Sequence, residues 1–221
     1  LLIVYPLCSI AQNTPIKSKV VSIESSNNDN LDANLLAEDF MKKAIIHFDA
    51  ARYPTCLNKL NEAIAINTAH QLKDILFFYR AVCQSKMKQN AAAIEDYNLA
   101  IFFNPTKTKY LYYRGLSYFE LGNFKKAQED FENTLLHQGE DADLLLKIGF
   151  LKEQNKQLPS AIECYNKAIT YNPKLAEAYY LRGLLHLRVL LHKKACHDLN
   201  KAAQLKYPAA LETYSKYCSD Y

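Results

Sequence analysis

The residues of this chain best suited to chemistry lie in one run, HKKACH, at 192–197. His192 and Cys196 stand four apart, so one helical turn would place an imidazole and a thiolate on the same face. That is zinc-ligand chemistry, but a closed site needs about four such ligands. His197 points elsewhere on the same helix, and no other pair is spaced to complete the set. The run reads as ordinary helix residues, and neither a metal nor a cofactor is expected.

Other catalytic signatures are absent from the sequence. There is no HExxH, no P-loop and no Rossmann glycine motif. The five glycines, Gly115, Gly122, Gly139, Gly149 and Gly183, are spread along the chain, and no cluster of them is left to cradle a phosphate. No catalytic residue is assigned, and the chain does not read as an enzyme. Of 221 residues, 49% are hydrophobic and 23% charged, which suits a soluble globular protein with a sizeable core. Net charge is +4, too weak to suggest nucleic acid as a partner. The basic pairs Lys125-Lys126 and Lys193-Lys194 read as solvated outer faces.

What the glycines do instead is keep time. Gly115, Gly149 and Gly183 recur every 34 residues. Ala93, Ala127, Ala161 and Ala195 keep the same step, as do Tyr97, Phe131, Tyr165 and Leu199. In the clearest copy, 110–138, Leu111, Gly115 and Tyr118 share one helical face. Leu121-Gly122-Asn123 breaks the helix, and Ala127 and Phe131 lie on a second one. Pro54 and Pro159 open equivalent second helices, where a missing N–H costs nothing.

This pattern resembles the tetratricopeptide repeat, a 34-residue helical hairpin carrying W-x2-L-G-x2-Y, then A-x3-F, then P. Gly115, Tyr118, Ala127 and Phe131 match, whereas Leu111 at the W position and Arg114 at the L position depart. The resemblance implies an all-α fold, a right-handed α-solenoid of about five hairpins plus a C-terminal capping helix. Its repeats run over about 37–70, 74–107, 108–141, 142–175 and 176–208, with the cap at 209–221 and the whole domain at 31–221. Residues 68–73 hold about three residues beyond the period, so a longer turn is expected there. The cap should cover the last hairpin with Leu211, Tyr214, Tyr217 and Cys218 on one face. The C-terminal end also resembles, more loosely, the Sel1-like repeat endings of exported bacterial proteins.

The family implies a partner site in a concave groove lined by the first helix of each repeat. Its register gives Ile75, Phe78 and Val82, then Tyr112, Leu116 and Phe119, then Leu146 and Phe150, and last Tyr180, Leu184 and Leu187. The groove is expected to be apolar and aromatic, and suited to a protein or peptide partner. Packing against their own neighbours is the alternative for these side chains. The carboxylate clamp of Hsp70/Hsp90 co-chaperones is argued against. Its paired cations are replaced by Met41 and Ile45, and by the apolar residues just named, leaving Lys109 alone.

The N-terminal run LLIVYPLCSIAQ is too short to span a bilayer as a helix of ~20 residues. Residues 1–11 read as a signal-peptide remnant, with Ser9 and Ala11 fitting cleavage before Gln12. A lipid anchor at Cys8 is the rival, although Leu7 stands where a small residue is wanted, and a plain tail is the third reading. Residues 12–30 read as a flexible linker. Export would place the protein in a bacterial periplasm or outside the cell, and a plain tail would leave it cytoplasmic. Membrane contact is expected only through an N-terminal anchor.

Cys56 and Cys164 read as buried small hydrophobes. Cys196 and Cys218 are a candidate disulfide if the cap folds onto the last hairpin. Such a bridge would be worth roughly 3 kcal/mol in the chain-entropy account. The function expected is a non-catalytic scaffold or adaptor. The alternatives are an accessory subunit of a bacterial envelope assembly, or the regulatory fragment of a larger enzyme or sensor.

Overall fold

A computed structural model describes residues 28–66 and 70–218. The signal-peptide remnant and most of the linker lie outside the described residues. Among those described there are eleven α-helices and no strand. They are α1 (Asn28–Asp49), α2 (Tyr53–Ala65), α3 (His70–Lys86), α4 (Asn90–Phe103), α5 (Thr108–Glu120) and α6 (Phe124–Gln138). There follow α7 (Ala142–Gln154), α8 (Leu158–Tyr171), α9 (Ala176–Arg188), α10 (His192–Gln204) and α11 (Ala210–Cys218). Successive pairs form five hairpins, each packed chiefly on its neighbours in sequence, and α11 closes the stack. This is the all-α solenoid that the resemblance implies.

The 34-residue ladders are the stacking surface. Tyr97, Phe131, Tyr165 and Leu199 are fully buried, as are Ala93, Ala127, Ala161 and Ala195. The glycines face the aromatic of their own hairpin. A methyl group on Gly115 would lie 2.7 Å from Phe131 Cε1, and one on Gly149 2.6 Å from Tyr165 Cε1. Gly183 faces Leu199 at a looser 3.1 Å. The first helix can thus approach the second closely because no Cβ intervenes.

Each hairpin turn ends its first helix on a residue in the left-handed region. These are Ala51, Lys88, Gly122, Lys156 and Leu190, with φ between 55° and 73°. Only Gly122 holds that shape without a Cβ penalty. Asn123 caps α6 through the Lys126 amide, and Asp141 caps α7 through the Leu144 amide. Pro54 and Pro159 sit in the first turns of α2 and α8.

A polar ladder ties the second helices to the first. Arg114 donates from Nε and Nη2 to both carboxylate oxygens of Asp130, and from Nη1 to Asn98 of the preceding hairpin. Arg80 does the same with Asp96 and Asn61, and Arg182 with Asp198 and Asn166. The fourth hairpin lacks the set. Ile148 and Cys164 stand at the Arg and Asp positions and join one apolar cluster. Glu132, left without an arginine, pairs with Lys152 at 3.0 Å.

Two expectations need correction. The residues beyond the 34-residue period extend α3, which has 17 residues against 13 in α5, rather than forming a long turn up to residue 73. On α11 the buried face is Ala210 and Cys218, with Tyr214 half-buried, whereas Leu211 and Tyr217 point outward. Positions 210, 214 and 218 share a face at steps of four, and the bond from Cys218 to Cys196 fixes which face turns inward.

Candidate partner-binding groove

The eleven groove positions sit on α3, α5, α7 and α9. None of them is exposed. Phe78, Val82, Leu146, Phe150 and Tyr180 are buried, and Ile75, Tyr112, Leu116, Phe119, Leu184 and Leu187 are half-buried. The row is therefore not a bare stripe along an open wall. Successive first helices approach closely enough to cover much of it.

The contacts show how. The ring of Phe78 lies 4.9 Å from that of Tyr110 and 5.3 Å from that of Tyr113 on the next first helix. Phe119 meets Phe150 across the following step at 5.8 Å. Tyr180 stacks on Tyr207 at 4.6 Å, and its hydroxyl lies 3.3 Å from that of Thr213 on the capping helix. Tyr112 leans on Phe131 at 5.5 Å. Such aromatic pairs add about 0.5–1.5 kcal/mol each beyond their buried area. The six half-buried residues are what a ligand could still reach.

Polar groups frame this apolar floor. Lys109, Asp143 and Glu177 occupy one register position at the start of α5, α7 and α9. The Lys109 ammonium lies 4.6 Å from the centre of the Phe78 ring and 5.5 Å from that of Tyr110. It is thus engaged with aromatic faces rather than poised for a carboxylate. Burial, with Lys107 nearby, holds its pKa below the usual lysine value. Burial also raises Glu177, against the pull of Lys147 and with the help of Asp143. At the other end of the first helices Arg188 pairs with Glu153, and Lys88 with Glu120 at 3.4 Å. Burial pushes the phenols of Tyr112 and Tyr113 up, so both stay neutral hydroxyls at physiological pH. Among the described residues the floor is apolar and aromatic, with charged groups at its margins.

The other candidates resolve as follows. Cys196 is bonded to Cys218, which removes its thiolate from the HKKACH run. Cys56, Cys83 and Cys164 are free and buried. Two features escaped the sequence reading. Tyr113, one residue past a groove position, packs on both Phe78 and Tyr97. The Arg–Asp pairs also went unread. Their signal was available, because Arg80, Arg114 and Arg182 keep the 34-residue phase and each precedes its Asp by 16.

Comparison with known proteins bears on the repeat and the fold. The tetratricopeptide repeat family matches residues 108–141, and a TPR repeat family matches 154–189. The chain carries tetratricopeptide repeats. Among curated relatives, the BBSome complex member BBS4 of Bos taurus is 31% identical over 146 residues, 61% of this chain and 28% of that protein. The Hsp70/Hsp90 co-chaperone CNS1 of Saccharomyces cerevisiae is 25% identical over 194 residues, 80% of this chain and 49% of that one. The chain thus spans less than half of the length of either relative. Among solved structures, YrrB, described as a TPR protein with an unusual peptide-binding site, superposes with a TM-score of 0.73 at 15% identity. That match covers 85% of this chain and 96% of YrrB. A MamA double mutant gives 0.72 at 17% identity, over 77% of this chain and 94% of MamA. These structural likenesses concern the fold alone.

Proposed function

We propose that this chain is a non-catalytic adaptor whose first-helix groove receives an apolar segment of another protein. The observation that carries this is the half-buried row of Ile75, Tyr112, Leu116, Phe119, Leu184 and Leu187 between charged margins. A row that is partly covered already has its side chains positioned, so binding costs little ordering. The description of YrrB as a peptide-binding repeat protein supports the same use of the fold. The co-chaperone clamp does not carry over from CNS1. Paired cations are missing at the register positions, and Lys109 is spent on Phe78.

Leu116→Ala and Leu184→Ala test the reading, because both side chains are only half-buried. The expected result is loss of partner recovery with an unfolding midpoint within a few degrees of wild type. Unchanged recovery would count against the groove. Phe150→Ala is a poor probe, since Phe150 is buried and its truncation would cost stability.

The site of action proposed is an oxidising compartment, the bacterial periplasm or the cell exterior. The Cys196–Cys218 bond supports it, because such bonds persist outside the reducing cytosol. An accessory subunit of an envelope assembly fits the same observation. The regulatory-fragment reading draws on a different one. The protein adenylyltransferase fic-1 of Caenorhabditis briggsae is 31% identical over 106 residues, only 21% of its length. Fractionation separates these readings: a protein found only in the reduced cytosol would contradict export.

A further inference from the structure

A cleft of about 410 Å³ opens where α8, α9 and α10 meet, on the second-helix side of the fifth hairpin and away from the groove. Its floor is the Arg182 network. Arg182 holds Asp198 through Nε at 2.8 Å and Nη2 at 2.7 Å, and Asn166 through Nη1 at 2.6 Å. His186 Nδ1 lies 3.1 Å from the same carboxylate, and His197 Nδ1 3.6 Å from its Oδ1. The one acid in the cleft is therefore already taken. Its rim is formed by Lys193, Lys194 and His197. Neither lysine has a carboxylate partner among the described residues.

The sister hairpins show that this arrangement is specific to the fifth. Counting back by the 34-residue period, His197 replaces Glu95, Glu129 and Glu163. By the same count His186 replaces Gln84, Tyr118 and Lys152. In the third hairpin the ring of Tyr118 lies 5.8 Å from the Arg114 guanidinium and 5.2 Å from the Lys126 ammonium. The fifth hairpin carries the smaller imidazole of His186 at that position. The fifth hairpin thus carries a histidine at each of these two positions, in place of a larger ring and of an acid in the third. The first turn of α10 adds to the positive field, since its N-cap, Leu191, offers no side-chain acceptor to the amides there.

We propose that this cleft binds a phosphate-like oxyanion, held by Lys193, Lys194 and His197 over the fixed Arg182–Asp198 floor. A metal ion is disfavoured at the same place, because the lysines and Arg182 would repel it. The site is independent of the groove and carries no claim about the partner there.

Titration of the full chain with inorganic phosphate, followed by backbone amide shifts, tests this. The expected result is a saturable shift centred on the first turn of α10. Lys193→Ala with Lys194→Ala should weaken it at least about tenfold, the loss of one or two charge-assisted contacts. His197→Glu, which restores the residue of the sister hairpins, should do the same. Lys125→Ala with Lys126→Ala in the third hairpin should leave it within about twofold. Equal weakening by the two lysine pairs, or no saturable shift at all, would overturn the site. Acetate binding as tightly as phosphate would overturn the assignment to phosphate. O-phosphoserine added in place of phosphate separates a phosphorylated side chain from free phosphate as the source, and tighter binding of either one sustains the site.

Discussion

Arg114 grips Asp130 through two parallel hydrogen bonds, Nε to Oδ2 at 2.9 Å and Nη2 to Oδ1 at 2.6 Å. Asp130 is buried, and the Arg114 side chain keeps only about a fifth of its surface open. Taking one partner from such a pair leaves the other charge uncompensated, at a cost of about 3–5 kcal/mol. The fourth hairpin shows what happens when both go, because Ile148 and Cys164 fill the two positions with apolar atoms. Arg114→Ile and Asp130→Cys should therefore each destabilise strongly when made alone. The double variant should recover most of the loss. Denaturant unfolding of the single and double variants measures the coupling. A double variant as unstable as the sum of the singles would show that the pair does not act as a unit.

The left-handed turn residues carry a smaller cost that can be removed. Leu190 has φ 60° and an exposed side chain, while Gly122 serves the equivalent turn at 73°. Leu190→Gly should raise stability by about 1 kcal/mol, and Gly122→Ala should lower it by a similar amount. Thermal unfolding midpoints of the two variants should move in opposite directions.

The Cys196–Cys218 bond joins residues 22 apart and pins α11 over the last hairpin. Its loss should cost roughly 3 kcal/mol through the chain entropy regained on unfolding. Cys218→Ser, or reduction of the native protein, should lower the unfolding midpoint by several degrees. Added reductant should have no further effect on the Cys218→Ser variant. Hydrogen exchange should then find α11 opening before the rest of the stack.

His186 gives the stack a pH response. Burial, with Arg182 adding to it and Asp198 opposing, holds its imidazole below the ordinary value of about 6.5. The unfolded chain therefore binds the proton more readily than the folded one. Stability contributed by this group is present above about pH 6.5 and is lost as pH falls from there toward the lowered folded value. His186→Gln should flatten the unfolding midpoint between pH 7.5 and pH 5, where the wild type declines. Parallel declines in both proteins would remove His186 from the account.

Much of the architecture was legible because the repeat multiplies a weak signal. A single Gly115 or Ala127 says little, but their recurrence in one phase fixes where each hairpin stacks. The Arg–Asp pairs are legible by the same rule, because Arg80, Arg114 and Arg182 keep one phase, although an arginine departs from the family's leucine at that position. Burial of Phe78, Phe150 and Tyr180 was not legible. Periodicity says which face a residue shares, but the covering groups come from elsewhere, Tyr113 from the next hairpin and Tyr207 from beyond the last one. The extended α3 was hidden for a related reason, because extra residues in a period can lengthen either a turn or a helix.

The groove is tested most directly by site-specific photocrosslinking in the native cell. A crosslinkable residue would stand at Leu116 or Leu184, half-buried on the first helices, or at Leu136, exposed on the second-helix face. Discrete protein adducts from Leu116 and Leu184, and none from Leu136, are the predicted result. Adducts from Leu136 alone, or none from either groove position, would contradict a partner seated along the first helices.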